Sequence, residues 1–183
     1  EGTTFSHYFV VDSYCCPSRT AILTGQYPHD NGVFTNNWPD GGYRAFTRNN
    51  DAAKTFAVAL HAGGYQTGFM GKYLNGYQPQ DPIPPGWDVW DGVGTGYRGY
   101  DYQMNENGQL HSYGHEPQDF LTDVLAGKAT QFVDDAGLDL EQQAFDLDLV
   151  EGDALGGQCG ENVRSGAAAG LRAGLLGTDL VGL

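Results

Sequence analysis

Large aromatic side chains supply much of the bulk from which a core is built, and this chain carries almost all of them on one side of a single point. Of 23 Phe, Trp and Tyr, 22 lie before residue 137 and only Phe145 follows. Residues 137–183 instead hold ten Gly, eight acidic residues and two Arg, and the stretch SGAAAGLRAGLLGTDLVGL (165–183) approaches low complexity. A segment without large apolar groups has little to offset the conformational entropy lost on ordering. The chain therefore divides near Ala136. Residues 1–136 have the pattern of a folded α/β region, and residues 137–183 form a Gly/Asp-rich tail of unrelated composition. No internal repeat of fixed period is visible.

Charge and cysteine usage narrow the function classes. Nine Lys+Arg against 23 Asp+Glu give a formal net charge of −14. Nucleic-acid binding, which needs a basic surface, is not expected. No run approaches the ~18 apolar residues of a spanning helix, so no transmembrane segment is expected. The sequence opens at Glu1 with no initiator Met and no charged-then-apolar leader, which neither shows nor excludes a signal peptide. Three Cys, two of them adjacent, do not suggest a disulfide framework.

The order of elements reads as layered α/β. FSHYFVV (5–11) reads as a short strand. A helix follows from Cys15 and Cys16, with Pro17 suited to its first position and Gly25 to the residue past its end. Residues 26–50 read as irregular and turn-rich. Asp51–Ala62 read as a second helix with Phe56, Ala59 and Leu60 on one face, stopped by Gly63-Gly64. Tyr65–Met70 read as a strand leading into Gly71-Lys72. PQDPIPPG (79–86) excludes regular structure. Tyr100–Met104 and Gln109–Tyr113 flank Asn107-Gly108, a hairpin signal. Pro117–Val133 read as a third helix with one apolar stripe.

Chemistry concentrates at Cys15-x-Pro17-Ser18-Arg19, with Thr24-Gly25 downstream. A helix N-terminus offers free N–H groups and a partial positive charge, and Arg19 adds a fixed cation one turn in. A Cys placed there has a lowered pKa and becomes reactive. The residues alone indicate an anion site with a special Cys.

CCPSRTAILTG resembles the sulfatase signature C-x-P-S-R-x-x-x-x-T-G. GQYPHDNGV, LHAGGYQTGFMGKYLNGY, PPGWDVW, YDYQMNENG and DFLTDVLAGKATQFV resemble successive blocks of one sulfatase subgroup, the N-acetylglucosamine-6-sulfatases and their bacterial relatives. The resemblance covers about residues 2–135. It implies an alkaline-phosphatase-like α/β fold, a large mixed sheet between helices. It also implies that Cys15 is oxidised to formylglycine (3-oxoalanine) by a separate maturation enzyme. In the family one oxygen of the formylglycine hydrate attacks the sulfur of a sulfate ester. The second hydroxyl then loses its proton, sulfate leaves, and the aldehyde returns. The resemblance assigns Arg19 to the hydrate and Lys72, in GKYLNGY, to a sulfate oxygen. It makes Asn75 a candidate substrate contact. Ca2+, or Mg2+, is expected on the hydrate at Cys15 and on the sulfate. A sulfated sugar or glycosaminoglycan is the expected substrate. By resemblance the protein is exported: secreted, periplasmic or lysosomal.

The match also has gaps. Many sulfatases carry a His two residues after the lysine, where this chain has Leu74; the subgroup shares the GKYLN form. A first strand ending in an Asp-Asp metal pair is expected to be missing, as are the later His-x-Pro, metal-binding Asp and second Lys segments of the C-terminal half. GLDLEQQAFDLDLVEGDALGGQCGENV replaces the next expected block, which suggests a shifted reading frame or a mispredicted gene past residue 136. Two rival readings follow. One is an inactive sulfatase fragment, and the other is a phosphonate or phosphate monoester hydrolase of the same superfamily.

Other residues have plainer readings. Cys16 reads as a packed small side chain, and Cys159, in the tail, is given no role. His29 fits a turn as well as a catalytic role. His7, His61, His111 and His115 lack ligand spacing. Turn chemistry and approach to substrate explain Asn36-Asn37 equally well. Trp87 and Trp90 read as packed loop anchors, with a sugar platform as the alternative.

Overall fold

The computed structural model describes residues 4–95, 97–154 and 173–177, with side chains through 137. Ten named elements position the site: helices α1 (Cys15–Thr24), α2 (Pro28–Asn31), α3 (Gly42–Arg48), α4 (Phe56–Ala62) and α5 (Leu121–Ala154), and strands β1 (Gln66–Lys72), β2 (Val89–Val93), β3 (Tyr102–Glu106), β4 (Gln109–Tyr113) and β5 (Ala173–Gly177). The sheet order is β4-β3-β2-β1-β5. β1 runs parallel to β2 and β5, and β2, β3 and β4 pair antiparallel. The expected α/β class is observed.

β1 sits inside the sheet and is buried from Thr67 to Gly71. A strand covered on both faces reads as a continuous buried run, and QTGFMGK has the small and apolar residues for that. One face carries an aromatic cluster. Phe69 stacks on Trp90 at 4.6 Å, and Tyr73 meets both rings edge-on. Trp90 donates its indole N–H to the Tyr77 hydroxyl at 2.9 Å, so the buried ring keeps its polar atom paired. Trp90 is fully buried and Trp87 packs against Phe56 and Phe69. Both are therefore core residues and not a sugar platform. On the other face Val93, Met104 and Leu121 cluster with Val124 and Leu125 of α5.

Several elements differ from the expectations. Residues 5–11 form no strand among the described residues: Phe5, Tyr8, Phe9, Val10 and Val11 are exposed, with no neighbouring strand to pair them. The irregular stretch 26–50 contains the short helices α2 and α3. α1 begins two residues ahead of Pro17, which lies in the first turn, where its missing N–H costs nothing. Gly25 ends it in the left-handed conformation, φ 69°. The second expected helix breaks at Thr55, which is extended (ψ 154°) between a 3-10 turn, Asp51–Lys54, and α4. The third is interrupted at extended Phe120 (ψ 118°), after a 3-10 turn with a Glu116–Asp119 capping box. The hairpin forms at Asn107-Gly108, both with positive φ, as the pair predicts. Cys159 lies outside the described residues.

A buried charge group fixes α5 to the sheet. Lys128 reaches Asp91 on β2 at 3.2 Å and Glu106 on β3 at 2.6 Å. Burial raises the Asp91 pKa despite Lys128. Burial would also raise that of Glu106, but Lys128 and the Tyr113 hydroxyl outweigh it and the net shift is down. Removing the ammonium leaves two half-desolvated carboxylates side by side. Lys128→Met is expected to destabilise the fold by about 3 kcal/mol, and adding Asp91→Asn to recover part of that. Thermal unfolding of the three proteins checks it.

Candidate active site

Cys15 opens α1. Its N-cap, Tyr14, is extended and provides no side-chain cap, so the first-turn N–H groups are left to other partners. Asn36 supplies one: its side-chain oxygen accepts the Cys16 N–H at 2.7 Å. The Asn36 amide also lowers the pKa of the Cys15 thiol. Turn chemistry alone therefore does not account for this asparagine. Asn37 is exposed, with its carbonyl taken by the Thr35 hydroxyl at 2.8 Å.

The end of β1 is tied to α1 by one contact. Arg19 is half-buried and donates from Nη1 to the Lys72 carbonyl oxygen at 2.9 Å. Burial lowers the Arg19 pKa, countered by the two thiols. The Lys72 ammonium donates to the Tyr97 hydroxyl and lies 4.5 Å from the centroid of that ring. Tyr97 in turn lowers the pKa of the Cys15 thiol. The structure thus brings Cys15, Arg19 and Lys72 together from positions 15, 19 and 72.

Asn75 is placed differently from these three. Its backbone N–H donates to the Cys16 sulfur at 3.1 Å, the Cys16 thiol faces its side-chain oxygen at 3.7 Å, and its carbonyl accepts the Tyr43 N–H at 2.8 Å. It braces the buried Cys16 against the loop that follows β1.

The adjacent thiols are driven in opposite directions. Cys16 is fully buried, and desolvation pushes its pKa up. Burial would also raise Cys15, but the Asn36 amide, Lys72, the Tyr97 hydroxyl and Arg19 outweigh it, and the thiol sits below its ordinary value. Together the helix start, a guanidinium and an ammonium place positive charge beside the Cys15 side chain.

Sequence reasoning missed Tyr97. It lies in the Gly-rich loop after β2, 73% exposed, with no spacing rule linking it to position 15. A metal is a separate matter. Among the described residues no group of three or more His, Cys, Asp or Glu converges on a point, and neither Arg19 nor Lys72 has an ion pair with a carboxylate. Ca2+ takes about 6–8 oxygen ligands. The described residues do not form such a cage.

The sequence matches the family model described as Sulfatase over residues 1–143. It is 40% identical over 135 residues to a putative extracellular sulfatase Sulf-1 homolog of Caenorhabditis elegans, covering 73% of this chain and 19% of that protein. It is 37% identical over 140 residues to the N-acetylglucosamine-6-sulfatase of Homo sapiens, covering 73% of this chain and 25% of that one. A solved protein in complex with its substrate D-glucosamine-2-N,6-O-disulfate superposes with a TM-score of 0.52 at 27% identity, over 70% of this chain and 23% of that one. The chain thus spans about a quarter or less of the length of these relatives.

The opposed thiol shifts are testable without turnover. Iodoacetamide is expected to label unconverted Cys15 with a pH midpoint below the ~8.5 of a free thiol, and to spare Cys16. Lys72→Ala or Asn36→Ala should move that midpoint up. Mass analysis of the labelled peptides at each pH checks both statements.

Proposed function

Because this chain belongs to the sulfatase family, with an alkaline-phosphatase-like α/β fold, we propose that it comes from an enzyme that hydrolyses sulfate esters on a sulfated sugar or glycosaminoglycan. The observation that carries this reading is the convergence of Cys15, Arg19 and Lys72, with Arg19 bonded to the Lys72 carbonyl at 2.9 Å. Two fixed cations and a helix start, in a chain of net charge −14, favour an anionic group at that point.

Cys15 is the residue to be converted to formylglycine, through an exported maturation route that requires a separate enzyme. Its half-buried position at the first turn, with a thiol pKa lowered by Asn36, Lys72, Tyr97 and Arg19 against burial, fits that modification. Once formed, the hydrated aldehyde supplies the nucleophile for sulfur and the second hydroxyl that releases sulfate. The residues on the page do the rest. Arg19 fixes the end of β1 and presents positive charge to the nucleophile. Lys72 neutralises a sulfate oxygen as charge shifts onto it. Asn36 fixes the first turn at the Cys16 N–H, and Tyr97 holds Lys72 by its hydroxyl. Asn75, held against Cys16, supports the loop behind the site; a direct substrate contact belongs to this proposal as well.

Ca2+ or Mg2+ would have to draw its carboxylates from residues beyond those described, so no step is routed through it. A second reading of the 183 residues taken alone is a sulfatase portion without turnover of its own, with residues 1–136 as the sulfatase part and 137–183 as an unrelated tail; it is favoured by a span of about a quarter or less of the relatives' length. The relatives named extracellular sulfatases support export. No helix of the described residues is long and apolar enough to cross a membrane.

The intact protein that carries this chain should hydrolyse an aryl sulfate, and an aryl phosphate at a much lower kcat/KM. Lys72→Ala should lower the aryl-sulfate value by about 10²–10³-fold, the scale for losing one preorganised electrostatic partner. Equal turnover of both esters would instead assign the site to phosphate or phosphonate monoesters.

A further inference from the structure

The loop from α2 to α3 leaves the site at Asn36 and reaches Trp38 two residues later. The Trp38 ring is 50% exposed. Two guanidinium groups from α3 lie over it, Arg44 at 5.0 Å and Arg48 at 4.9 Å from the ring centroid. A spacing of four puts both on one face of the helix. Arg48 is held further by donating to the Pro39 carbonyl and to the Asn49 side-chain oxygen, each at 3.2 Å.

Neither arginine has an ion pair with a carboxylate among the described residues. That is notable in a chain with 23 acidic and nine basic residues. Like charges at i,i+4 repel, and the ring face offsets only part of the repulsion. An anion bridging the two guanidiniums would offset the remainder. The cluster also belongs to the active-site end of the fold. Asn36 accepts the Cys16 N–H, and Tyr43, one residue before Arg44, donates its N–H to the Asn75 carbonyl.

An exposed indole beside two guanidiniums without a carboxylate partner among the described residues matches an anionic sugar. The C–H face of a pyranose packs on the part of the indole that the guanidiniums leave exposed, and an acidic substituent of the same sugar takes their N–H donors. We propose that Trp38, Arg44 and Arg48 form a second saccharide subsite, which seats an anionic sugar residue of a chain whose sulfate ester is presented at Cys15. The proposal rests on the sulfated-saccharide reading above. It makes the enzyme selective for oligosaccharides that carry more than one negative charge.

The test is a fluorescence titration of the intact protein bearing Cys15→Ala, so that nothing is turned over. Trp38 is the exposed indole, whereas Trp90 is fully buried and Trp87 packs in the core. The probes are a sulfated, uronate-containing tetrasaccharide, the same compound with its carboxylates reduced to alcohols, and uncharged chitotetraose. The sulfated tetrasaccharide should quench or shift the emission saturably, and Trp38→Phe should remove that signal. Arg44→Gln with Arg48→Gln should raise the Kd by about tenfold or more, and Lys at both positions should recover part of it. Raising salt should weaken binding to the arginine protein more than to the glutamine variant. Retained affinity after carboxyl reduction assigns the anion as sulfate, and lost affinity assigns it as carboxylate; either supports the subsite. A Kd within twofold in the folded double-Gln variant, or equal binding of chitotetraose, overturns it. Binding that follows the arginines in a protein whose Cys15 form cleaves no sulfate ester keeps the subsite and rejects the functional reading. Cleavage without arginine-dependent binding does the reverse.

Discussion

The site depends on one hydrogen bond between two distant parts of the chain, from the Arg19 guanidinium to the Lys72 carbonyl. Helix α1 supplies the activated side chain and β1 supplies the ammonium, and neither element alone has both. A half-buried guanidinium is costly unless its donors are satisfied, and the carbonyl at the end of β1 satisfies one of them. The same contact therefore relieves a burial penalty and sets the position of Lys72. Cys16 and Asn75 make a second tie just behind it, a buried sulfur accepting a backbone N–H. Cys15 is thus adjacent in sequence to a buried structural thiol, and the two shift oppositely because burial prevails at Cys16 while Asn36, Lys72, Tyr97 and Arg19 outweigh it at Cys15.

The rigid base for these ties is the aromatic cluster beneath them. Phe69 and Trp90 stack across β1 and β2, and Tyr73 follows directly on Lys72 at the end of β1. Lys72 is therefore the last residue of a strand held by packing, which limits its reach. On the opposite face Lys128 ties α5 to β2 and β3 through Asp91 and Glu106. Positive charge in this acidic chain is thus placed with purpose: at the helix start, at the strand end, under α5, and over the Trp38 ring.

Much of this was legible in the sequence where the cause is local. Pro17 and Gly25 bracket α1, Asn107-Gly108 turns the hairpin, and the Pro-rich stretch 79–86 excludes regular structure, because each acts through its own backbone. FSHYFVV misled because a strand requires a partner, and pattern alone does not provide one. The helices α2 and α3 were hidden among turn residues because they are short and are set by their packing more than by propensity. Cys15, Arg19 and Lys72 were proposed for the site through the resemblance of whole motifs. Tyr97 and Asn36 join them only through the fold: Asn36 accepts the Cys16 N–H and Tyr97 accepts from Lys72, across loops whose spacing carries no rule.

The central claim is that α1 sets Cys15 for conversion and for attack on sulfur. The most direct measurement is the mass of the peptide ending at Arg19 from intact protein made in its native host. The account predicts a mass about 18 Da below the Cys form, the loss expected for the aldehyde. An unmodified Cys15 in a preparation that still cleaves sulfate esters would contradict it.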